Sequence, residues 1–299
     1  MTTPNDSYSL CSECSLAMGE PLAATTPHAL HWLLLEYSGA WEANALTASS
    51  LPDTVKAHIN AQLATVSQSR FQFIKQNGNG TREGIRLYAV RTQPGQQAVY
   101  RLDLQSYDEV LSLDLAAVFN GQSSATRSDE PLLLVCTNGK KDMACAKLGI
   151  PLAAALEAAL PEQVWQSSHI GGHRFAGTLV ALPDGHYYGR VGAADVPALV
   201  AALHEKRIVA DYYRGCGGWT SPVQAAEIAL RQRLDLWDVG AVTLDSAAPQ
   251  GENEWLVSLD SDGATYPLYV TGALSEYEIQ ESSTDTAHKR VMQYTVEAG

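Results

Sequence analysis

The sequence predicts an α+β fold: two α/β units in tandem, followed by a small β-rich C-terminal region. Three observations predict it. Apolar runs of strand length alternate with helical stripes up to about residue 240. The order of elements in residues 27–120 is similar to that in 130–215, without residue-level repetition, and is compatible with two related domains side by side. Residues 240–299 then carry strand signals separated by turn-forming SDG and PQGEN.

The elements follow in order. Residues 1–26 are polar and turn-rich, and are expected to form an N-terminal arm that packs late or partly frays. HWLLLEYSG, from His31 to Gly39, reads as a buried strand. TVKAHINAQLATV reads as a helix, because Val55, Ile59, Leu63 and Val66 fall on one stripe. RFQFI, GIRLYAVR and AVYRLDL read as strands, and Tyr107 to Val118 as a further helix. The polar stretch GQSSATRSDE, residues 121–130, marks a boundary between units.

The second unit opens with PLLLV, a strand apolar on both faces. AKLGIPLAAALEAAL reads as a helix whose regular part begins at Pro151, since a first-turn proline lacks only an N–H that needs no partner. FAGTLVAL and HYYGRV flank the turn signature PDG and read as a hairpin. VPALVAALHEKR closes the unit with Val196, Leu199, Val200 and Leu203 on one face. The predicted order is strand–helix–strand–strand–helix. A helical connector spans 216–239, carried by SPVQAAEIALRQRLDLW. AVTLDSA, EWLVSLD, TYPLYV and RVMQYTV are the expected strands of the β-rich region, 240–299.

Composition bounds the function. The chain has 299 residues, 45% of them hydrophobic, with a net charge of -13. Nonspecific nucleic-acid binding draws on a basic surface, so nucleic acid is not an expected partner. No apolar run approaches the roughly 18–20 residues that cross a bilayer, so no membrane association is expected. The N-terminus has no basic start or apolar core of a secretory signal, and the expectation is a cytoplasmic protein. Five cysteines, an odd number, argue against a disulfide scaffold and suit thiols kept reduced for a cofactor.

The chemistry concentrates in two short loops. Cys136 and Cys145 lie in VCTNGKKDMAC, and His169 and His173 in SHIGGH. Cys136 follows a buried strand and Cys145 precedes a helix, whose N-terminus favours negative charge on a nearby thiol. Lys140 and Lys141 are placed to offset that charge. On a helix the His169/His173 spacing would put both rings on one face; Gly171 and Gly172 equally admit a loop in which the rings converge. Two thiolates and two imidazoles suit tetrahedral zinc, mononuclear iron or copper, or a [2Fe–2S] cluster with two ligands per iron. The spacing is not that of a zinc finger. Nor is it the Rieske order, in which each of two loops supplies one cysteine and one histidine.

VCTNGKKDMACAKLG and SSHIGGHRFAGTLVALPDGHYYGRV resemble the sucrase/ferredoxin-like family, which includes fungal cytosolic thioredoxin-like iron–sulfur proteins. CSECSLAMGEPLAATTPHALHWLLLEYSGAW and YYRGCGGWTSPVQAAE look like further family signatures, so the resemblance spans about residues 11–235. It implies a thioredoxin-like ferredoxin domain with a [2Fe–2S] cluster. Carried over residue by residue, Cys136 and Cys145 would bind one iron, and His169 and His173 the other. Related ferredoxins use four cysteines, so the histidines mark a His-ligated variant.

The function this implies is one-electron transfer. Neutral imidazoles should make the cluster easier to reduce than four thiolates would. If their distal nitrogens reach solvent, reduction is expected to favour proton uptake. No GxGxxG fingerprint is present, so an external electron donor and acceptor are needed, with a flavin or nicotinamide reductase as candidate. An iron–sulfur redox sensor and a structural zinc protein are the alternatives. Sugar hydrolysis has no support, because Glu157, Glu162 and Asp184 form no recognisable carboxylate pair. Arg174 is read as a partner-orienting or solvated residue, and His186 as a surface or hairpin residue. Cys11 and Cys14 form a CxxC ahead of the first strand, read as structural or adventitious. Cys216 lies between two predicted helices, either buried or reactive in a flexible turn. His28, His31, His58, His204 and His288 show no comparable arrangement. The sequence leaves oligomeric state open.

Overall fold

In the computed structural model, which describes residues 8–77 and 84–299, the N-terminal segment is anchored. Helix α1 (Cys11–Ala17) buries Cys11, Ser12, Cys14 and Ser15. Glu13 closes its first turn by accepting from the Ser9 and Leu10 amides. The expected fraying is therefore corrected over these residues, because burial of α1 outweighs the polar composition around it. Residues 1–7 of the expected arm lie outside the described residues.

The first unit starts with β1 (His31–Glu36), whose four central residues are buried. Each fully buried Leu of this run contributes roughly 1.5–3 kcal/mol. Helix α2 (Asp53–Ala64) buries Val55 and Ile59. Strands β2 (Ser69–Lys75), β3 (Ile85–Arg91) and β4 (Ala98–Leu104) follow. The helix expected from Tyr107 to Val118 divides into a 3-10 turn, Tyr107–Ser112, and the short helix α3 (Leu115–Phe119). Asp114 causes the break: its side chain accepts from the Ala117 amide and starts α3 afresh. The polar boundary stretch contributes one short edge strand, β5 (Thr126–Ser128).

In the second unit, β6 (Leu132–Cys136) is buried at every residue. Helix α4 runs from Met143 to Ala159, with Pro151 inside it. The helix read from Ala146 thus begins three residues earlier, and its regular part does not wait for Pro151. Asp142 caps the helix, and burial of Ala144, Cys145, Gly149, Leu152, Ala153 and Leu156 outweighs the hydrogen bond the proline forfeits. Strands β7 (Val164–Ser167), β8 (Leu179–Leu182) and β9 (His186–Tyr188) follow, then α5 (Val196–His204). The predicted strand–helix–strand–strand–helix order therefore lacked one strand. The Cys216 segment also forms a strand, β10 (Tyr213–Cys216), in which Cys216 is buried rather than set in a flexible turn.

Both units share one topology. In the first, β1 pairs parallel with β2 and antiparallel with β3, which pairs with β4. In the second, β6 pairs parallel with β7 and antiparallel with β8, which pairs with β9. A parallel βαβ joined to an antiparallel hairpin in this order is the thioredoxin-like arrangement. Antiparallel pairing of β2 with β7, Ile74 opposite Ser167 and Lys75 opposite Gln166, fuses the two into one sheet. The full order is β10-β9-β8-β6-β7-β2-β1-β3-β4-β5.

Helix α6 (Ser221–Leu234) realises the expected connector helix. It packs against β10 and against a four-stranded antiparallel sheet of β11 (Thr243–Gly251), β12 (Glu254–Ser261), β13 (Ala264–Leu274) and, at the chain end, β16 (Met292–Ala298). The buried Glu227 carboxylate accepts from Arg231 at 2.7 Å and from the Tyr213 hydroxyl at 2.9 Å. Between β13 and β16, the small strands β14 (Ile279–Gln280) and β15 (His288–Lys289) return the chain to α1. No helix among the described residues is long and apolar enough to cross a membrane.

His186 lies in the expected hairpin but is buried, not at the surface, with its ring edge-on to Tyr213. Burial, aided by nearby Arg231, pushes its pKa from 6.5 down to about 3. The unfolded chain therefore takes up a proton below about pH 6.5 that the folded protein refuses until about pH 3, and stability is lost across that window as pH falls. Replacing His186 with Phe should remove this component. Denaturant midpoints of wild type and variant should differ progressively from pH 7 to pH 4, at the expense of the wild type. A difference that does not change with pH would refute this.

Candidate metal centre

Cys136 occupies the last position of β6, its backbone held by an N–H bond to Thr178. The chain then turns tightly. Asn138 accepts from the Lys141 amide and donates to the Glu42 carbonyl, which ties the loop to the first unit. Asp142 caps α4 by accepting from the Ala144 amide at 2.9 Å. Cys145 lies inside the first turn of α4, not before the helix as the sequence suggested. One turn further, Gly149 faces the strand end: a Cβ there would sit 2.0 Å from the Cys136 carbonyl oxygen. Glycine therefore lets α4 press against β6 and brings the two thiols together.

The two cysteines behave as a pair. A hydrogen bond from Cys145, then His169, holds the Cys136 pKa well below the thiol range despite full burial. Cys145, the donor, is pushed upward.

His169 completes a three-donor group. Its Nδ1 lies 3.6 Å from Cys136 Sγ and 3.7 Å from Cys145 Sγ. The preceding Ser168 fixes the approach, exchanging backbone and hydroxyl hydrogen bonds with Phe73 and donating to Gln72 of β2. After His169 the chain forms a loop and then a 3-10 turn, His173–Phe175. Gly172 has φ 75°, and a Cβ on it would meet Arg214 Nη2 at 2.3 Å. Arg214 is fully buried, lies over Phe175, and donates to the carbonyls of Thr25 and Gly171. Burial lowers its pKa to about 9, which still leaves it cationic at neutral pH.

His173 stands beside His169, with ring centroids 5.1 Å apart. Its Nδ1 faces other partners: Cys11 Sγ at 3.4 Å and Asp142 Oδ2 at 3.5 Å. The four expected residues thus lie in one neighbourhood but in two groups, Cys136/Cys145/His169 and Cys11/Asp142/His173. Burial, then the neighbouring His169, lowers the His173 pKa. Cys11 is pushed up to about 12 by burial. Burial works to raise the Asp142 pKa, but hydrogen bonds from the Ser283 amide and hydroxyl and from the Ala144 amide lower it overall.

Sequence reasoning missed Cys11 and Asp142. A cysteine motif inside a family signature, and an aspartate just ahead of a helix, were the available signals. Their link to the site needs the far end of the chain: Ser283 donates to Asp142 from both amide and hydroxyl, and accepts from the Cys11 amide.

Other candidates fall elsewhere. Cys14 Sγ accepts from the Gln280 amide, and Cys216 donates to the Asp184 carbonyl. Arg174 is neither solvated nor free, since it pairs with the fully buried Glu20 at 2.8 Å. Glu157 accepts from Asn77. Both cluster histidines are half-buried. Beside His169 opens a cleft of about 400 Å³ between the two units, lined in part by Arg70, Gln72, Lys141 and Ser168, with no carboxylate in its wall.

The fold and site define a double thioredoxin-like protein with a mixed thiol and imidazole cluster of the kind that could hold a metal ion. Residues 22–215 match the family described as sucrase/ferredoxin-like, and the chain belongs to that family. It is 36% identical over 113 residues to "Altered inheritance of mitochondria protein 32" of Eremothecium gossypii, covering 33% of this chain and 35% of the relative. A protein of the same name from Meyerozyma guilliermondii is 31% identical over 97 residues, covering 29% and 34%. The matches thus span about a third of these relatives. Among solved structures, a thioredoxin-like [2Fe–2S] ferredoxin from Aquifex aeolicus aligns with 29% of this chain and 91% of its own, at 15% identity and a TM-score of 0.26.

Asp142→Ala should remove the α4 cap and the anchor of Ser283 together. A lost cap costs about 1 kcal/mol. Hydrogen exchange at the Cys11 and Ser283 amides should accelerate, while β1 and β3 remain protected. Unchanged exchange at both amides would show that Asp142 does not hold this segment.

Proposed function

We propose that the chain is a one-electron carrier whose [2Fe–2S] cluster is held by Cys136, Cys145, His169 and His173. The observation that carries this reading is the donor set itself. Two buried thiols sit at the end of β6 and the start of α4, and two adjacent imidazoles lie on one glycine loop. A cluster with two sulfur and two nitrogen ligands needs this supply. When bound, it would accept and release single electrons.

The residues around it would do the rest. Cys136 and Cys145 bring negative charge into a buried position, and Lys141 stands at the rim of the adjoining cleft to offset it. His169 lines the open cleft, so electrons would enter and leave there. In a chain of net charge -13, the cleft beside His169 presents Arg70 and Lys141. It suits an acidic surface on the external donor or acceptor, for which a flavin or nicotinamide reductase is our candidate. His169, in the wall of the cleft, also favours proton uptake on reduction.

A zinc reading draws on one specific observation: Cys136, Cys145 and His169 converge on a single point. Anaerobic purification with iron, sulfide and zinc analysis separates the two. About two iron and two sulfide per chain, with a visible chromophore, are expected. Stoichiometric zinc and no colour would refute the cluster. His169→Cys should shift the EPR signal of the reduced protein and lower its potential. The wild-type potential should fall as pH rises, and a flat profile from about pH 5 to 10 would remove proton coupling.

A further inference from the structure

We propose that Cys11 is a reserve ligand of the same centre, able to replace His173 and convert two-thiolate, two-imidazole ligation to three thiolates and one imidazole. The inference rests on the [2Fe–2S] reading above and adds a residue that the two-loop motif does not contain.

The geometry points to it directly. Cys11 Sγ lies 3.4 Å from His173 Nδ1, close to the 3.6 Å between Cys136 Sγ and His169 Nδ1. Each histidine of the glycine loop thus has a thiol at the same ring nitrogen. Cys11 is completely buried and forms no disulfide. It is also held in place: its amide donates to Ser283 Oγ at 3.0 Å, and its sulfur lies 3.4 Å from that oxygen, whose proton goes to Asp142. Asp142 lies within reach of both exchanging groups, 3.7 Å from Cys11 Sγ and 3.5 Å from His173 Nδ1. Cys14 and Cys216 are also buried, but their sulfurs bond to backbone groups, the Gln280 amide and the Asp184 carbonyl.

The exchange balances without a redox partner. The bond from His173 to iron breaks, a bond from Cys11 Sγ to the same iron forms, and the thiol proton passes to the freed imidazole. No electron is gained or lost. An anionic ligand replaces a neutral one, so the three-thiolate form should be harder to reduce. The consequence is a centre with two potentials, selected by which of two neighbouring side chains holds the iron.

The test uses the full-length protein purified anaerobically as wild type, Cys11→Ser, His173→Ala and the double variant, with iron and sulfide content, EPR and midpoint potential as readouts. His173→Ala should retain its iron and sulfide, with a shifted EPR signal and a lowered potential. The double variant should hold at least roughly tenfold less iron, since disturbing even outer partners of a metal site costs that much. Cys11→Ser alone should keep the wild-type spectrum. His173→Asn repeats the comparison with a polar side chain, in case the alanine variant fails to fold. If the His173 variants lose the cluster whether or not Cys11 is present, or the double variant keeps it, Cys11 is not a reserve ligand. Wild-type protein without iron and sulfide would overturn the cluster reading and this inference together. A wild-type cluster with His173 variants indifferent to Cys11 would overturn this inference alone.

Discussion

The structure depends on the antiparallel seam between β2 and β7. Each thioredoxin-like unit would otherwise expose the outer edge of a parallel strand, with its amides and carbonyls unpaired. Two facing residue pairs close that edge and make a single ten-stranded sheet. The same seam places Ser168 between Gln72 and Phe73, and so fixes the backbone one residue before His169. The first unit contributes none of the four expected ligands. Its role is to hold the loop that presents two of them, and to form one wall of the cleft beside His169.

Close approach governs the rest of the site. Gly149 allows α4 to rest on the carbonyl of Cys136, and Gly172 allows the histidine loop to pass over the guanidinium of Arg214. Both glycines occupy places that a methyl group would fill. Arg214 and Glu20 are charges in the interior, where an unpaired charge is costly. Arg214 answers with two carbonyls and the Thr25 hydroxyl, and Glu20 with Arg174 and the Ser15 hydroxyl. These contacts join the segment before β1 to the histidine loop. They explain why residues that read as a loose arm belong to the interior.

The sequence made much of the fold legible. Buried strands such as LLLVC and the stripe of α2 announce themselves by period and length, because burial on one or both faces leaves a direct pattern in the chain. The errors came where packing overruled a local preference. Pro151 favours a helix start by its own chemistry, yet α4 begins at Met143 because Asp142 caps it and six of its residues are buried. YRGC was not assigned as a strand, being short and carrying polar residues that only its neighbours in the sheet make burial-compatible.

By itself, the sequence determined the α+β class, the β-rich end, and the two loops that carry Cys136, Cys145, His169 and His173. Residue type and spacing sufficed for these, since strands, helices and ligand loops are local in the chain. Only the tertiary structure decided how the four are grouped. It turned His169 toward the thiols and His173 toward Cys11 and Asp142. It also brought Ser283 from the far end of the chain to hold that second group. A side chain's partner across 272 residues depends on how elements pack, and no local pattern encodes it.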